Sequence, residues 1–531
     1  MTWARLMLLL IVFRGIGAFA QAPAWQVAMM SAQTNESSSR INATVADAAG
    51  NVYVAGSFWG TVRLGSTELN SAGGSDVFVA KWSGALGKYV WAQRAGGSGF
   101  DHSASLALHR DAVYVVGQFG GTAAETASAP ATATFGTTTL TSAGGSDAFV
   151  AKLSDHGTAA AFVWAARAGG AGNDRATALA ANANTLYLGG LFTQAAQFGS
   201  TTLATTGQTA TSPDIFVAKL TDTGPAARFG WAQQAGGSGY DSGPLLAVSG
   251  SGVYVAGHFS GSVSFGPTSL TAKGLSNVFI AKLADLGATS RFGWCQRVGS
   301  DGLDYVRALA VRGKSVYLAG YFGGNVATFG ALALTNADQH VYLPDSSNPK
   351  SGIVCGPRRS TGTFGSDAFV AKLTDTGASG RFVWAERAGG LGDDGVYAMA
   401  VQGTEVYVAG FFGHRHDRKQ HLPAAPASFG RTALSSVGQT DGFVAKLTDT
   451  GPAAGFTWAQ GVGGPHDDDA LTLAVAGPKV WLSGELAKTS GSRFGHQPAA
   501  LPAGLTDRSS FLAVLTPALL ASAPRPTTPG K

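Results

Sequence analysis

The residues best suited to chemistry lie in two short runs. His414-Arg415-His416-Asp417-Arg418-Lys419-Gln420-His421 gathers three imidazoles and a carboxylate, ligand types that hold a transition metal. Its candidate ligands are His414, His416, Asp417 and His421. Arg415, Arg418 and Lys419 repel a cation and equally suit a solvated basic loop. Pro465-His466-Asp467-Asp468-Asp469 offers hard oxygen ligands from Asp467, Asp468 and Asp469.

Aspartates also recur once per repeat, in two sets. Asp76, Asp147, Asp214, Asp367 and Asp441, with Asn277, open one strand-like run; Asp101, Asp174, Asp241, Asp304, Asp394 and Asp468 close GGxGxD turns. An Asp repeated at a tight turn caps it by accepting backbone N–H groups. GGxGxD is similar to a calcium-binding nonapeptide of parallel β-helices, so Ca2+ is the one cofactor to carry forward. Residues that break the repeat are candidates of another kind: His102, His258, Tyr305, Glu386 and Tyr397. They are scattered over several units without nucleophile–base spacing, so no catalytic and no cofactor-binding residue is assigned.

The elements that position these residues are short strands in a fixed order. A small apolar run such as Ala178-Leu179-Ala180 comes first. A VYVAG run follows, beginning at Val52, Val113, Leu186, Val253, Val316, Val406 and Val480. Next is the run typified by Asp147-Ala148-Phe149-Val150-Ala151-Lys152-Leu153, with a faint last copy at Ser510. The fourth run is built on Trp91, Trp164, Trp231, Trp294, Trp384 and Trp458. A Phe-Gly or Leu-Gly landmark (Leu64, Phe135, Phe198, Phe265, Phe329, Phe429, Phe494) separates the second run from the third. Val, Tyr, Phe and Trp bounded by Gly, Asp and Thr turns read as strands.

In the third run Phe149, Ala151 and Leu153 point one way and Ala148 and Val150 the other. Both faces are apolar, so each four-stranded sheet needs cover on both sides. Sheets stacked around an axis supply it, which predicts an all-β chain: a seven-bladed β-propeller of four-stranded antiparallel blades. The last unit lacks a Trp strand, and Ala24-Trp25-Gln26-Val27-Ala28 is a Trp strand without a unit. The Trp25 strand is therefore expected to complete the last blade beside Phe511 to Leu515 and remove an open edge. The repeated Trp should pack between blades. The repeated Lys (Lys81, Lys152, Lys219, Lys282, Lys372, Lys446) should pack its stem and send its ammonium to the rim.

The combination VYVAGxF, FGxxxLTSxGGSDAFVAKL and WAxRAGGxGxD resembles the seven-bladed β-propeller repeat of bacterial secreted and cell-surface proteins, over residues 25 to 515. The resemblance implies a propeller and an exported location, and brings no catalytic residues with it.

Arg5, the apolar run Leu6 to Phe13 and Ala18-Phe19-Ala20 read as a Sec-type signal cleaved near Ala20. The expected domains are residues 1–20 as signal peptide, 21–517 as propeller and 518–531 as a Pro/Thr-rich tail. The mature chain is then secreted, periplasmic or at the cell surface. No other run is long and apolar enough to span a bilayer. A net charge of +5 over 531 residues is too mild for nucleic acid. Cys295 and Cys355 are the only cysteines, which is no disulfide framework.

Alternating strand direction sends the second-to-third connections and the blade crossings to one face, the upper, and the TDTG-type turns to the lower. All the large insertions are upper (120–134, 335–363, 413–428, 485–510), where binding loops usually sit. The expected function is a monomeric, non-enzymatic scaffold binding a protein or glycan of the envelope or extracellular space. A propeller enzyme acting on extracellular polysaccharide and a purely structural surface protein are the alternatives.

Overall fold

A computed structural model describes residues 24–32, 37–121, 130–206, 212–338, 341–343, 354–356, 365–413, 426–487, 491–495, 497–498 and 509–516. Seven antiparallel blades carry four strands each, the first innermost and the fourth outermost. In blade 3 these are Arg175–Asn182, Thr185–Phe192, Asp214–Asp222 and Ala227–Gly237. The innermost strands touch their neighbours in a closed cycle, from Ser38–Ala46 round to Asp469–Ala476 and back.

The cycle closes as the half-units require. Ala24–Ala32 pairs antiparallel with Ser509–Thr516, with Trp25 opposite Leu515 and Met30 opposite Phe511. Trp25 is 7% exposed. Its ring lies 5.3 Å from Phe494, and its Nε1 donates to Gln460. Residues from the two ends of the chain thus complete blade 7, and Ser509–Thr516 is paired on both sides rather than left as an open edge.

The two apolar faces of the third strand serve two different cores. Phe149, Ala151 and Leu153 pack with Tyr53 and Trp91 of blade 1. Ala148 and Val150 pack with Leu188 and Phe216 of blade 3. Each blade is therefore one wall of two cores, and burial of both faces holds neighbouring blades together.

The Phe-Gly landmark is the turn of a small extra hairpin. In blade 2, Thr132–Phe135 pairs with Thr138–Thr141. Gly136 takes the positive φ of 60° that the tight turn needs. Phe135 plugs onto Phe149 of its own blade at 4.8 Å. Its strand meanwhile pairs with Lys88–Gly97, the outer strand of blade 1. Six such hairpins reach back to the preceding blade, so each straps two blades together. The short alternating runs around the landmarks did not announce them as strands.

The recurring lysines depart from expectation. Five of the six do not reach the rim but enter the seam between blades. Lys372 Nζ of blade 5 lies 2.7 Å from Asp449 Oδ2 of blade 6, with side-chain exposures of 9% and 6%. Tyr317 OH and Trp384 Nε1 donate to the same carboxylate at 2.8 and 3.1 Å. The same three-donor latch ends on Asp155, Asp222, Asp285 and Asp375. The repeated Trp does pack between blades, and its indole N–H is part of the latch. Two seams lack it. Lys446 of blade 6 pairs with Glu405 of its own blade at 2.8 Å. In the blade 7–blade 1 seam Trp481 lies 6.4 Å from Trp82, and Thr472 donates to Thr44 at 2.7 Å.

Candidate functional site

The two recurring aspartate sets meet in pairs on the upper side. Asp147 Oδ2 accepts the Ala143 N–H at 2.7 Å and an Arg167 N–H at 2.9 Å. Asp174 accepts the Gly170 and Thr193 N–H groups at 2.6 and 3.1 Å. Both therefore cap turns, as repetition at every blade suggests. Asp147 Oδ1 is buried with no donor and faces Asp174. Gly169 lies between them at φ 147°; a Cβ there would fall 2.1 Å from Asp147 Oδ1 and 2.7 Å from Asp174 Oδ2. Two carboxylates this close cannot both ionise cheaply. Burial pushes the Asp174 carboxyl up to about 7, and Asp147 adds to the rise. Such a pair favours holding one shared proton below about pH 7.

Blade 4 shows which atom of the pair would carry that proton. Asn277 replaces the first aspartate, and its Nδ2 donates to Asp304 Oδ2 at 2.8 Å. Its Oδ1 takes the Lys273 and Arg297 N–H groups at 2.6 and 3.0 Å, as Asp147 Oδ2 takes its own two. The oxygen matching Asn277 Nδ2 is the donorless Oδ1. The Oδ1 atoms of Asp76, Asp214, Asp367 and Asp441 are likewise buried without a donor.

Of the metal candidates, His414, His416, Asp417 and His421 lie outside the described residues. Asp468 caps its turn, accepting the Gly464 and Ala487 N–H groups at 2.6 and 2.7 Å. Asp467 and Asp469 flank it, half-buried. Among the described residues no group of three His, Cys, Asp or Glu side chains could hold a metal ion. Cys295 is a free, half-buried thiol, pushed up to about 11 by burial.

The repeat-breaking residues are less scattered than their numbering suggests. Six innermost strands carry a register shift near the upper mouth of the channel, at Asn42, Ala104, Thr177, Arg307, Tyr397 and Leu471. A bulge leaves the extra residue unpaired and re-aims its side chain, and these six differ in kind. In blades 4 to 6 they join a row of rings. His258 lies 4.4 Å from Tyr305, Tyr305 4.9 Å from Tyr321, Tyr321 5.8 Å from Phe411 and Phe411 4.8 Å from Tyr397. The Arg307 guanidinium sits 5.4, 5.9 and 6.0 Å from the Tyr305, Tyr321 and Tyr397 rings. It also donates to Tyr321 OH at 3.3 Å. Ring faces attract the cation and hold it in place.

Burial, with help from the nearby Arg307 charge, lowers His258 to about 3, so its imidazole is neutral. The opposite wall differs: Thr472 donates to Thr44 at 2.7 Å, and Asn42 to Ser57 at 3.1 Å. His102 stands apart in blade 2, its Nε2 3.3 Å from Ser75 Oγ. Glu386 lies on the outer strand Gly380–Gly390. Three of the five repeat-breaking residues thus converge. Arg307 and Tyr321 were missed, although aligning the units on their GGxGxD turns exposes both.

The upper side carries most of the exposed large apolar side chains among the described residues. Trp59, Phe100, Tyr240, Leu275, Leu303, Leu391 and Val437 all stand exposed on upper turns, Tyr240 by 54% and Leu303 by 41%. The lower turns expose only Leu86 and Leu286 among the large apolar side chains described.

No protein-family model and no curated protein matches the chain. Among solved structures it is similar to extracellular domains 1–2 of Drosophila semaphorin 1b. That match covers 93% of this chain and 88% of that one at 8% identity and a TM-score of 0.37. No helix among the described residues is long and apolar enough to cross a membrane. The strand order and its closure establish the fold: the chain is a seven-bladed β-propeller.

Proposed function

We propose that this propeller is an exported binding scaffold that engages a protein or glycan of the envelope or extracellular space through its upper face. One observation carries the reading. Three of the side chains that break the repeat, His258, Tyr305 and Tyr397, gather with Arg307 and Tyr321 into one aromatic and arginine wall at the upper mouth, beside exposed Tyr240, Leu275 and Leu303. Packing of identical blades does not require that asymmetry, and exposed apolar patches mark interaction sites. The upper face also carries the long second-to-third connections, whose tips repeat geometry leaves free to vary. Export rests on the Arg5 to Ala20 pattern, which lies outside the described residues.

The two faces supply matched controls. A photo-crosslinking residue at Tyr240 or Leu303, above, and at Leu86 or Leu286, below, would be activated in extracts of the envelope and medium. Adducts from the upper positions alone are expected. Equal adducts from both faces, or none from the upper positions, would refute the reading.

A further inference from the structure

The innermost strand of blade 4 starts late. Elsewhere this strand begins close to the GGxGxD aspartate, as at Arg175 or Asp304. In blade 4 it begins only at Leu245, after Ser242-Gly243-Pro244. Pro244 has no N–H to give the ladder, so pairing cannot extend back through it. The shortened strand leaves a recess of about 650 Å3 between blades 3 and 5, within the range of small-ligand sites.

Arg175 enters this recess from blade 3 and Arg307 from blade 5, and among the described residues no Asp or Glu lines it. Neither guanidinium has a carboxylate partner among the described residues. His258 and Tyr305 meet edge to face on one wall, 4.4 Å apart and inclined by 65°, and His258 Nδ1 is buried there without a hydrogen-bond partner. Ser242 and Ser260 each accept a backbone N–H at 2.9 Å, which leaves their own O–H groups to donate. Two cations without counter-charge call for an anion, and guanidinium matches a carboxylate in a planar, bidentate fork. The aromatic wall calls for an apolar face on the ligand, and the hydroxyls call for polar groups at its edge. An aromatic acid would satisfy the first two and leave the hydroxyls unpaired, at a cost. A uronate sugar satisfies all three.

We propose that this recess binds a uronate residue of an acidic glycan. Its carboxylate pairs with Arg307 and Arg175, its ring lies against Tyr305 and His258, and its hydroxyls meet Ser242 and Ser260. This ligand class rests on the binding reading above. The test is calorimetric titration of the intact protein with digalacturonate, with neutral digalactose and with N-acetylphenylalanine. Digalacturonate is expected to bind best. Arg307→Gln and Arg175→Gln, both at exposed positions, should each weaken it by about tenfold or more, the loss expected for a charge-assisted hydrogen bond. Unchanged thermal midpoints would show that both variants fold.

Tighter binding of N-acetylphenylalanine, equal binding of digalactose, or digalacturonate binding indifferent to both substitutions would overturn the assignment. Upper-face cross-links without digalacturonate binding would overturn the uronate alone. Failure of both would overturn the binding reading too.

Discussion

Asp147→Asn should make the protein more stable above neutral pH and leave it nearly unchanged near pH 5. In the native pair one proton joins Asp147 to Asp174. The folded protein holds that proton where the unfolded chain gives it up near pH 4. Its contribution is therefore whole below about pH 4 and is lost as pH rises through about 7. Asp174 is pushed from its ordinary 3.8 up to about 7, chiefly by burial. At ~1.4 kcal/mol per unit, forcing both carboxylates to ionise costs at most about 4 kcal/mol. An amide at position 147 would donate permanently, as Asn277 does to Asp304 at 2.8 Å.

Arg167 would lose its charged partner but keep an oxygen acceptor, as Arg297 does with Asn277. Its exposure of 30% keeps that loss to about 1 kcal/mol. Asp304, which already faces an amide, is still pushed up to about 6 by burial, so urea unfolding followed by Trp fluorescence should show the variant gaining about 1–2 kcal/mol on the parent between about pH 5 and about pH 8.5. A variant weaker by the same amount at both pH values would refute the shared proton.

Three further outcomes follow from the same contacts. Asp449→Ala strands the buried Lys372 ammonium and should cost about 3–5 kcal/mol, whereas Lys372→Met leaves Asp449 with its Tyr317 and Trp384 donors and should cost less; urea midpoints distinguish the two. The latch carboxylates titrate in the opposite sense to the upper pairs. Although burial opposes it, Lys219 and Tyr187 hold Asp285 down to about 2, and Lys282 and Tyr254 do the same for Asp375. Their stabilisation is full above about pH 4 and is lost as pH falls through about 2, which unfolding measured from pH 5 downward would detect. Dialysis against EDTA should leave the thermal midpoint at neutral pH unchanged; a rise on adding Ca2+ would show that a cation, not a proton, joins the paired aspartates.

What the sequence made legible was what one residue pattern decides by itself. Apolar side chains on both faces of Asp147 to Leu153 demand cover on both sides, and Trp25 is an outer strand without a blade. The hairpins were hidden because Thr132–Phe135 and Thr138–Thr141 are only four residues each, and their pairing with the preceding blade's outer strand is long-range. The latches were hidden for a related reason. Lys372 and Asp449 lie far apart in sequence, and nothing in either local motif says that one blade's lysine meets the next blade's aspartate. The site was half visible. His258, Tyr305 and Tyr397 stood out as departures from the repeat, but the bulges that turn Arg307 toward their rings belong to the backbone. Pro244 was the one local sign of a foreshortened strand.

The faces, the mouth and the recess all presuppose a ring closed by its own first strand. The direct measurement places Gln26→Cys and Val514→Cys, opposite one another in the closing pair, in a chain whose Cys295 and Cys355 are both changed to Ser. Mild oxidation should give an intramolecular disulfide in a monomer, seen as faster migration on a non-reducing gel, because cross-strand Cα atoms lie about 4.5–5.5 Å apart. Disulfide-linked dimers, or thiols that stay free while the protein remains folded, would contradict the closure.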